Sequence, residues 1–239
     1  MNTIQLVIFD MDGLMFETGR LAYRAYLKSA EEHDFELIHD VYYYLTGKRE
    51  AEIRQGMREL YGPKAPVDQW RDSMNRYKEA ILATEKRVYK KPGLLDLLQE
   101  LSQHDCQLAL ASSSSRERIA TYFELEKMPP VFDSIVAGDQ VKQGKPDPEI
   151  FLTACRQARV LPENALVLED SFAGILAAKR AGIPAFLVED DVTDLPTRKG
   201  GYPLLQQPII DKEALIQQAQ RFADLTEVKE FLLANQLLG

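Results

Sequence analysis

The chain has 239 residues, and its 29 lysines and arginines against 37 aspartates and glutamates give a formal net charge of −8 at pH 7. With 45% hydrophobic and 28% charged residues it has the composition of an ordinary globular protein, which excludes collagen-like, disulfide-scaffold and largely disordered chains. The acidic surplus argues against a nucleic-acid partner, because phosphate backbones are bound by clustered lysine and arginine. A small phosphorylated ligand needs only local positive charge and is not excluded.

The cysteines and the apolar segments indicate the compartment. Cys106 and Cys155 are the only cysteines and lack the spacing of a metal site, which favours two reduced thiols in a cytoplasmic protein. The start of the chain has no basic region and is typical of a strand that ends before Asp10, so we expect no signal peptide. No apolar stretch reaches the roughly 18 residues that a membrane span needs, and no membrane partner is expected.

Five short apolar runs, each followed by polar residues, recur along the chain. Because these runs are apolar on both faces, they predict strands buried in a parallel sheet. They lie at Leu6–Phe9, Gln107–Ala111, Ser134–Ala137, Ala165–Leu168 and Ala185–Val188. Helical patterns alternate with them at Leu94–Gln103, Arg116–Leu125, Glu149–Ala158 and Ala173–Arg180. The alternation predicts a doubly wound α/β fold with a mostly parallel sheet, in which the ligand lies beyond the carboxyl ends of the strands.

Residues 16–88 interrupt this alternation. They contain long amphipathic patterns at Leu21–Glu32, Glu50–Leu60 and Val67–Ala83, and no strand-like run. We therefore predict two domains: a helical cap over residues 16–88, and an α/β core formed by residues 1–15 and 89–239.

Asp10 and Asp12 stand two residues apart just after the first predicted strand, and Gly13 follows them. Residues two apart in an extended segment face the same side, and a glycine allows a sharp turn. Two adjacent carboxylates repel each other, which favours a metal ion, a shared proton, or both. A structural pair that caps a turn is the alternative, and this motif alone does not separate the two interpretations.

Other predicted strand ends bring further polar groups to the same edge of the sheet. Glu169 and Asp170 add two acids, the serines from Ser112 onward add hydroxyl groups at the start of a helix, and Lys145 lies in a loop stiffened by two prolines. Four carboxylates with one protonated carry a charge of about −3, which would repel a phosphate dianion at about 4 Å by several kcal/mol. Mg²⁺ together with the lysine would offset that charge, so a hard cation with oxygen ligands is implied.

Four segments in chain order resemble the four motifs of the haloacid dehalogenase superfamily of phosphohydrolases. They are Phe9-Asp10-Met11-Asp12-Gly13, Leu110-Ala111-Ser112-Ser113-Ser114, Lys145-Pro146-Asp147-Pro148 and Leu168-Glu169-Asp170-Ser171. The similarity is greatest to the subfamily that includes beta-phosphoglucomutase and small-molecule sugar phosphatases. It extends over about residues 4–190 and includes a helical cap inserted after the first motif.

The resemblance implies a role for each matching acidic residue. Asp10 would be the nucleophile that forms an aspartyl-phosphate, and Asp12 the general acid/base. Mg²⁺ would be held by the Asp10 carboxylate, the main-chain carbonyl of Asp12 and Asp170, with Glu169 close by.

The resemblance also implies the groups that bind the phosphoryl oxygens. Ser112 and Lys145 would act in catalysis, Ser112 by holding a phosphoryl oxygen and Lys145 by offsetting negative charge. Ser113 and Ser114 would bind the substrate. In the cap of the resembling subfamily a glycine followed by a basic residue faces the site, so Lys48 or Arg49 is a candidate substrate contact; a solvated charge at a helix start is the alternative.

These features favour an Mg²⁺-dependent phosphatase for a small phosphorylated metabolite, a sugar phosphate being the expected class. A phosphosugar mutase is the first alternative, weakened because the segment from Arg20 to Tyr23 lacks the histidine that beta-phosphoglucomutases carry there. A non-catalytic protein of the same fold that binds a phosphorylated ligand is the second alternative. A monomer is expected for a capped enzyme of this size.

Overall fold

The computed structural model describes residues 3–205 and 219–238. Residues 206–218, which belong to the predicted core segment, lie outside the described residues, as do residues 1, 2 and 239. The described strands form one sheet of six parallel strands in the order β3-β2-β1-β4-β5-β6. Their bounds are β1 Leu6–Phe9, β2 Gln107–Ser112, β3 Ser134–Ala137, β4 Ala165–Glu169, β5 Ala185–Val188 and β6 Gln220–Phe222.

Helices fall into two groups, and the predicted α/β architecture is confirmed. Four follow β1 directly: α1 Thr18–His33, α2 His39–Leu45, α3 Glu50–Tyr61 and α4 Val67–Glu85. The others alternate with strands or follow the last one: α5 Leu94–Leu101, α6 Arg116–Leu125, α7 Glu149–Ala158, α8 Phe172–Ala181 and α9 Leu225–Ala234. In the part of the chain that the structure describes, none of these helices has the length and apolarity that a bilayer crossing requires.

The central position of β1 in the sheet explains why its sequence is apolar throughout. Leu6 and Ile8 pack into one hydrophobic cluster, whereas Val7 and Phe9 pack into another on the opposite face of the sheet. Successive strand residues point to opposite faces, so a central strand with helices on both sides needs apolar residues at every position. Among the described strands β6 pairs only with β5, and it contains a single apolar residue, Phe222; the sequence pattern did not indicate this strand.

The helices α1–α4 form a helical insertion, defined here as residues 18–85, and supply most of a second apolar core, separate from the two clusters that pack on the sheet. Trp70 is completely buried there and stacks on Phe35, with ring centroids 4.3 Å apart. Aromatic pairs at such distances contribute about 0.5–1.5 kcal/mol beyond the area that they bury. The segment after β5 completes this core, because Val192 is fully buried in it and Tyr202 packs edge-on against Trp70 with ring centroids 5.2 Å apart.

Two segments join the helical insertion to the sheet, and they run side by side. The main-chain N–H of Glu17 donates to the carbonyl of Tyr89, and that of Lys91 donates to the carbonyl of Met15, both over 2.9 Å. The outgoing and returning segments are thus hydrogen-bonded to each other at the point where the chain leaves and re-enters the core.

Glu126, directly after α6, anchors the returning segment. Its carboxylate is buried and accepts hydrogen bonds from Arg87 Nε at 2.7 Å, from the main-chain N–H groups of Val88 and Tyr89 at 3.1 and 3.2 Å, and from Lys90 Nζ at 3.0 Å. Burial alone would raise the pKa of Glu126, but the hydrogen bonds from Arg87 and Lys90 outweigh it and lower the pKa from 4.5 to about 2. One carboxylate of the core therefore fixes four consecutive residues of the returning segment, residues 87–90.

We expect Glu126→Gln to lower the free energy of unfolding by about 2 kcal/mol at pH 7, because hydrogen bonds to a charged acceptor are replaced by bonds to a neutral one. Since the folded pKa lies below the unfolded value of 4.5, this stabilisation is fully present above pH 4.5 and is lost as the pH falls toward 2. Urea unfolding at pH 7 and pH 3 measures both effects.

Glu124→Gln, at an exposed position in the last turn of α6, is the matched control and should change stability little. Equal stability of the two variants at pH 7 would contradict the anchoring role of Glu126.

Candidate active site

The site lies where the order of the strands reverses. In the sheet, β1 stands between β2 and β4, so the residues at the carboxyl ends of these three strands are neighbours in space. Asp10 follows β1, Ser112 ends β2 and Glu169 ends β4. Crevices of this kind are the usual ligand sites of open parallel sheets.

Lys145 is completely buried at the centre of this crevice. Its ammonium group donates to Oδ1 of Asp10, to Oε1 of Glu169 at 2.6 Å and to the carbonyl of Ala111 at 3.1 Å. Burial opposes its charge, but the carboxylates of Asp10 and Glu169 outweigh burial and raise the pKa of Lys145. The lysine is therefore charged, and all three of its protons have acceptors.

Glu169 is held from its other side by the start of α8. Its Oε2 accepts from the main-chain N–H and from the hydroxyl of Ser171, both at 2.8 Å, and Ser171 in turn accepts from the N–H of Gly174 at 3.0 Å. A side chain at Gly174 would overlap the Glu169 carboxylate, so only glycine fits there. Both oxygens of Glu169 are thus occupied by protein donors, and its predicted place near a metal ion stays a prediction.

Asp10 is 5% exposed, and its surroundings raise the pKa of its carboxyl group above the usual value. Burial raises its pKa and the Glu169 carboxylate adds to that effect, while Lys145 opposes it; the result is a pKa of about 7. A further positive charge beside Asp10 would stabilise its ionised carboxylate and lower this pKa.

Asp170 supplies a second carboxylate, which lies against Gly13 in the turn after β1. Both of its oxygens are buried and have no hydrogen-bond partner among the described residues, and a Cβ at Gly13 would overlap Oδ2. Burial, with the nearby charges of Glu169 and Asp10, holds the pKa of Asp170 well above its usual range. Buried carboxylate oxygens without a donor are costly unless a cation compensates them.

These oxygens fit a hard divalent cation. Residues 3–205 and 219–238 contain no group of three acidic, histidine or cysteine side chains placed to hold a metal together. The predicted ligand set would use only two acidic side chains, the carboxylates of Asp10 and Asp170. Its third oxygen would be the main-chain carbonyl of Asp12.

The serines after β2 have different neighbours. Ser112 is completely buried and its hydroxyl accepts from the N–H of Ser114 at 3.1 Å. The Ser114 hydroxyl donates to Oδ2 of Asp12 at 2.7 Å, and the Ser113 hydroxyl donates to the carbonyl of Gly47 in the helical insertion at 2.8 Å. Ser114 thus orients Asp12, and Ser113 connects the core to the insertion.

A cavity of about 520 Å³ separates these strand ends from the helical insertion. Among the predicted site residues, Ser112, Lys145, Glu169 and Asp170 are not part of its lining. The predicted residues that line the cavity are Asp10, Asp12, Lys48, Arg49, Ser113 and Ser114.

The two basic residues predicted as substrate contacts differ in their surroundings. Arg49 pairs with Glu52 at 2.6 Å, and its Nη1 donates to the carbonyls of Val141 and Lys142 at 3.2 Å. It therefore bridges the insertion to the loop that leads to Lys145. Lys48 lies over the ring of Tyr44 at 3.9 Å, and burial lowers its pKa.

Sequence reasoning missed the contribution of α4 and its partners to the cavity. Arg71 is buried and pairs with Glu50 at 2.5 Å, and Glu79 pairs with Arg118 of α6. Lys78 forms no ion pair with a carboxylate in the described ranges; burial lowers its pKa, but Tyr122 and Asp12 outweigh that effect and raise it. The polar residues recur at helical spacing on α4, a pattern that one sequence does not distinguish from a solvated face.

We expect Lys145→Met to lower the free energy of unfolding by about 3–5 kcal/mol, because Asp10 and Glu169 would remain buried without a counter-charge. Chemical denaturation of the metal-free protein measures the loss. Lys142→Met, at an exposed position of the same loop, is the control. Adding Glu169→Gln to Lys145→Met should recover part of the loss; a double variant less stable than Lys145→Met would contradict the assignment.

Comparisons with known proteins agree with this geometry. A family model described as haloacid dehalogenase-like hydrolase matches residues 7–188. The chain is 34% identical over 185 residues to "Phosphorylated carbohydrates phosphatase" of Thermotoga maritima, covering 75% of this chain and 82% of that protein. It is 30% identical over 196 residues to the beta-phosphoglucomutase of Bacillus subtilis, covering 75% and 81% respectively.

A solved structure extends the likeness to three dimensions. The crystal structure of CbbY from Rhodobacter sphaeroides in complex with phosphate has a TM-score of 0.65 and 26% identity, covering 94% of this chain and 96% of that chain. The family match spans the sheet from β1 to β5 and includes the helical insertion. The chain therefore belongs to the haloacid dehalogenase-like hydrolase family and is an enzyme of that family.

Proposed function

We propose that this hydrolase releases phosphate from a small phosphorylated carbohydrate, in an Mg²⁺-dependent reaction with an aspartyl-phosphate on Asp10. The observation that carries the proposal is the placement of Asp10 at the cavity wall, with its carboxylate held by Lys145. The likeness to a phosphatase of phosphorylated carbohydrates supports the substrate class.

In the proposed first step, the Asp10 carboxylate attacks phosphorus and the bond from phosphorus to the sugar oxygen breaks. Asp12, oriented by Ser114, gives a proton to the leaving alkoxide. In the second step Asp12 takes a proton from water, the water oxygen attacks phosphorus, and the Asp10 carboxylate is released with inorganic phosphate. The same carboxyl group thus serves as acid and then as base.

The remaining residues balance charge and hold the phosphoryl oxygens. Lys145 offsets charge on the nucleophile and the phosphoryl group. Ser113 and Ser114 line the cavity wall beside the substrate, where their hydroxyls donate to Gly47 and Asp12. Mg²⁺, bound by Asp10, Asp170 and the carbonyl of Asp12, would neutralise developing negative charge. Glu169 supports Lys145 through their hydrogen bond.

The helical insertion would act as a cap, with domain bounds at residues 16–88. Its residues form one wall of the cavity, and Arg49, Ser113 and the pair of Glu79 with Arg118 connect it to the core. A cavity of about 520 Å³ has room for a small metabolite and not for a macromolecular ester. Covering the aspartyl-phosphate would also protect it from uncontrolled hydrolysis.

The polar lining of the cavity supports a carbohydrate as the leaving group. Arg71 and Arg118 are already paired with carboxylates, whereas Lys48 and Lys78 have no ion-pair partner in the part of the chain described here. Two ammonium groups that face the cavity suit the hydroxyls and the phosphate of such a ligand.

A phosphosugar mutase is the second candidate, favoured by the likeness to beta-phosphoglucomutase. The segment after Glu17 gives it less support: Ala22 lines the cavity, and Arg20 pairs with exposed Asp194 outside it. A non-catalytic ligand-binding protein is disfavoured, because a buried network of Asp10, Lys145 and Glu169 is costly to keep without a chemical role.

We expect Asp10→Asn to reduce Mg²⁺-dependent hydrolysis of p-nitrophenyl phosphate by at least about a thousand-fold, since the nucleophile is lost. Asp96→Asn, at an exposed position of α5, should keep the activity of the unmodified protein. Full activity of Asp10→Asn, or turnover that chelators do not affect, would contradict the mechanism.

The ³¹P NMR spectrum of a reaction with a phosphorylated sugar distinguishes the two candidate enzymes. Inorganic phosphate as the product indicates the phosphatase. Phosphate on a different carbon of the same sugar indicates the mutase.

We expect Lys78→Gln to raise KM for a phosphorylated sugar about tenfold or more, because one charge-assisted hydrogen bond is lost. Steady-state kinetics measure the change, with Lys86→Gln at the exposed end of α4 as the control. A KM equal to that of the control would remove Lys78 from the substrate site.

A further inference from the structure

Asp190 is a buried acid that the proposed reaction does not use. It lies two residues after β5, at the same edge of the sheet as Asp10, and is 5% exposed. Its Oδ1 accepts from Nζ of Lys91 at 2.7 Å, and Lys91 is the residue at which the returning segment pairs with Met15. One oxygen of Asp190 thus contacts the joint between core and insertion.

Its other oxygen faces the start of the helical insertion. Oδ2 has no hydrogen-bond partner among residues 3–205 and 219–238, and a Cβ at Gly19 would overlap it. Gly19 is the second residue of α1, and α1 has no side-chain hydrogen bond at its N-cap, Glu17. The unpaired N–H groups of a helix start carry partial positive charge, so the carboxylate of Asp190 is placed where α1 attracts it.

Asp190 also lies close to the proposed metal side of the site. A Cβ at Gly13 would come within 3.2 Å of Oδ2 of Asp190 and would overlap Oδ2 of Asp170. The two carboxylates therefore flank the same turn, directly after Asp12. From the insertion, the hydroxyl of Tyr42 reaches within 2.5 Å of the Cβ position at Gly19.

We infer that Asp190 is a positioning residue that couples the placement of the helical insertion to that of the Asp170 carboxylate. It is attracted by Lys91 and by the start of α1 and repelled by Asp170, so its position is set by both linkers and by the acidic side of the site together. The coupling to catalysis rests on the proposed function, whereas the coupling between linkers and turn does not.

Three variants test this inference. Asp190→Asn removes the charge at nearly constant shape. Gly19→Ala keeps the charge but displaces the carboxylate together with the Tyr42 hydroxyl, at a position whose backbone does not require glycine. Glu189→Gln, the adjacent acid, is 56% exposed at its side chain, pairs with Arg221 at 3.3 Å and serves as the control.

Hydrogen exchange of the metal-free, substrate-free protein is the first measurement. We expect Asp190→Asn and Gly19→Ala each to speed exchange in residues 13–19 and 87–91 about tenfold, with β1 and β4 unchanged, and Glu189→Gln to change neither region. Unchanged exchange in the two linkers of both variants would overturn the inference. A uniform increase that includes β1 and β4 would also overturn it, because it would indicate a general loss of stability.

Kinetics with Mg²⁺ and a phosphorylated sugar are the second measurement. We expect kcat/KM to fall about tenfold in Asp190→Asn and Gly19→Ala and to stay constant in Glu189→Gln. An unchanged kcat/KM in an active enzyme would overturn the coupling to the site. No activity in the unmodified protein would instead overturn the proposed function, while the exchange measurement would still decide whether Asp190 couples the linkers.

Discussion

The ammonium group of Lys145, shared by the buried carboxylates of Asp10 and Glu169, is the interaction on which the site depends. Three charges so close together in a water-poor crevice are stable only when each has partners. Glu169 also accepts hydrogen bonds from the main-chain N–H and the hydroxyl of Ser171 at the start of α8, and Gly174 leaves the space that the carboxylate occupies. The loop before α7, the end of β4 and the start of α8 are thereby fixed relative to Asp10.

The order of the chain places the start of the helical insertion beside this buried network. The chain leaves the core immediately after the turn that follows Asp10 and Asp12, so the insertion begins at the edge of the crevice. Glu126 fixes the returning segment, and the cavity is then lined by groups from both bodies. A phosphatase would transfer the phosphoryl group to water, and a mutase would transfer it to a second hydroxyl of the sugar. The two reactions would share the first half of the proposed mechanism, so the residues that face the leaving group decide between the two candidate enzymes.

Much of the core could be predicted from the sequence because its signals are local. A central parallel strand is apolar at every position, as in β1, and a helix repeats every 3.6 residues; α6 and α7 have the predicted bounds. Three of the four motifs lie at the ends of β1, β2 and β4, and the topology brings the ends of these neighbouring parallel strands together. The sequence did not predict β6, because this strand has a single apolar residue and, within the described part of the sheet, pairs only with β5.

The sequence by itself determined the class of fold and the motif residues that meet at one edge of the sheet, since each follows from short-range patterns. Only the tertiary structure decided the partners of these residues: Arg49 contacts core carbonyls, Glu169 has both oxygens occupied, and Asp190 lies against Gly19. The physical reason is that hydrogen bonds and close contacts between residues far apart in the chain depend on how helices pack onto the sheet. That packing is a property of the whole molecule and leaves no periodic signal in any one segment.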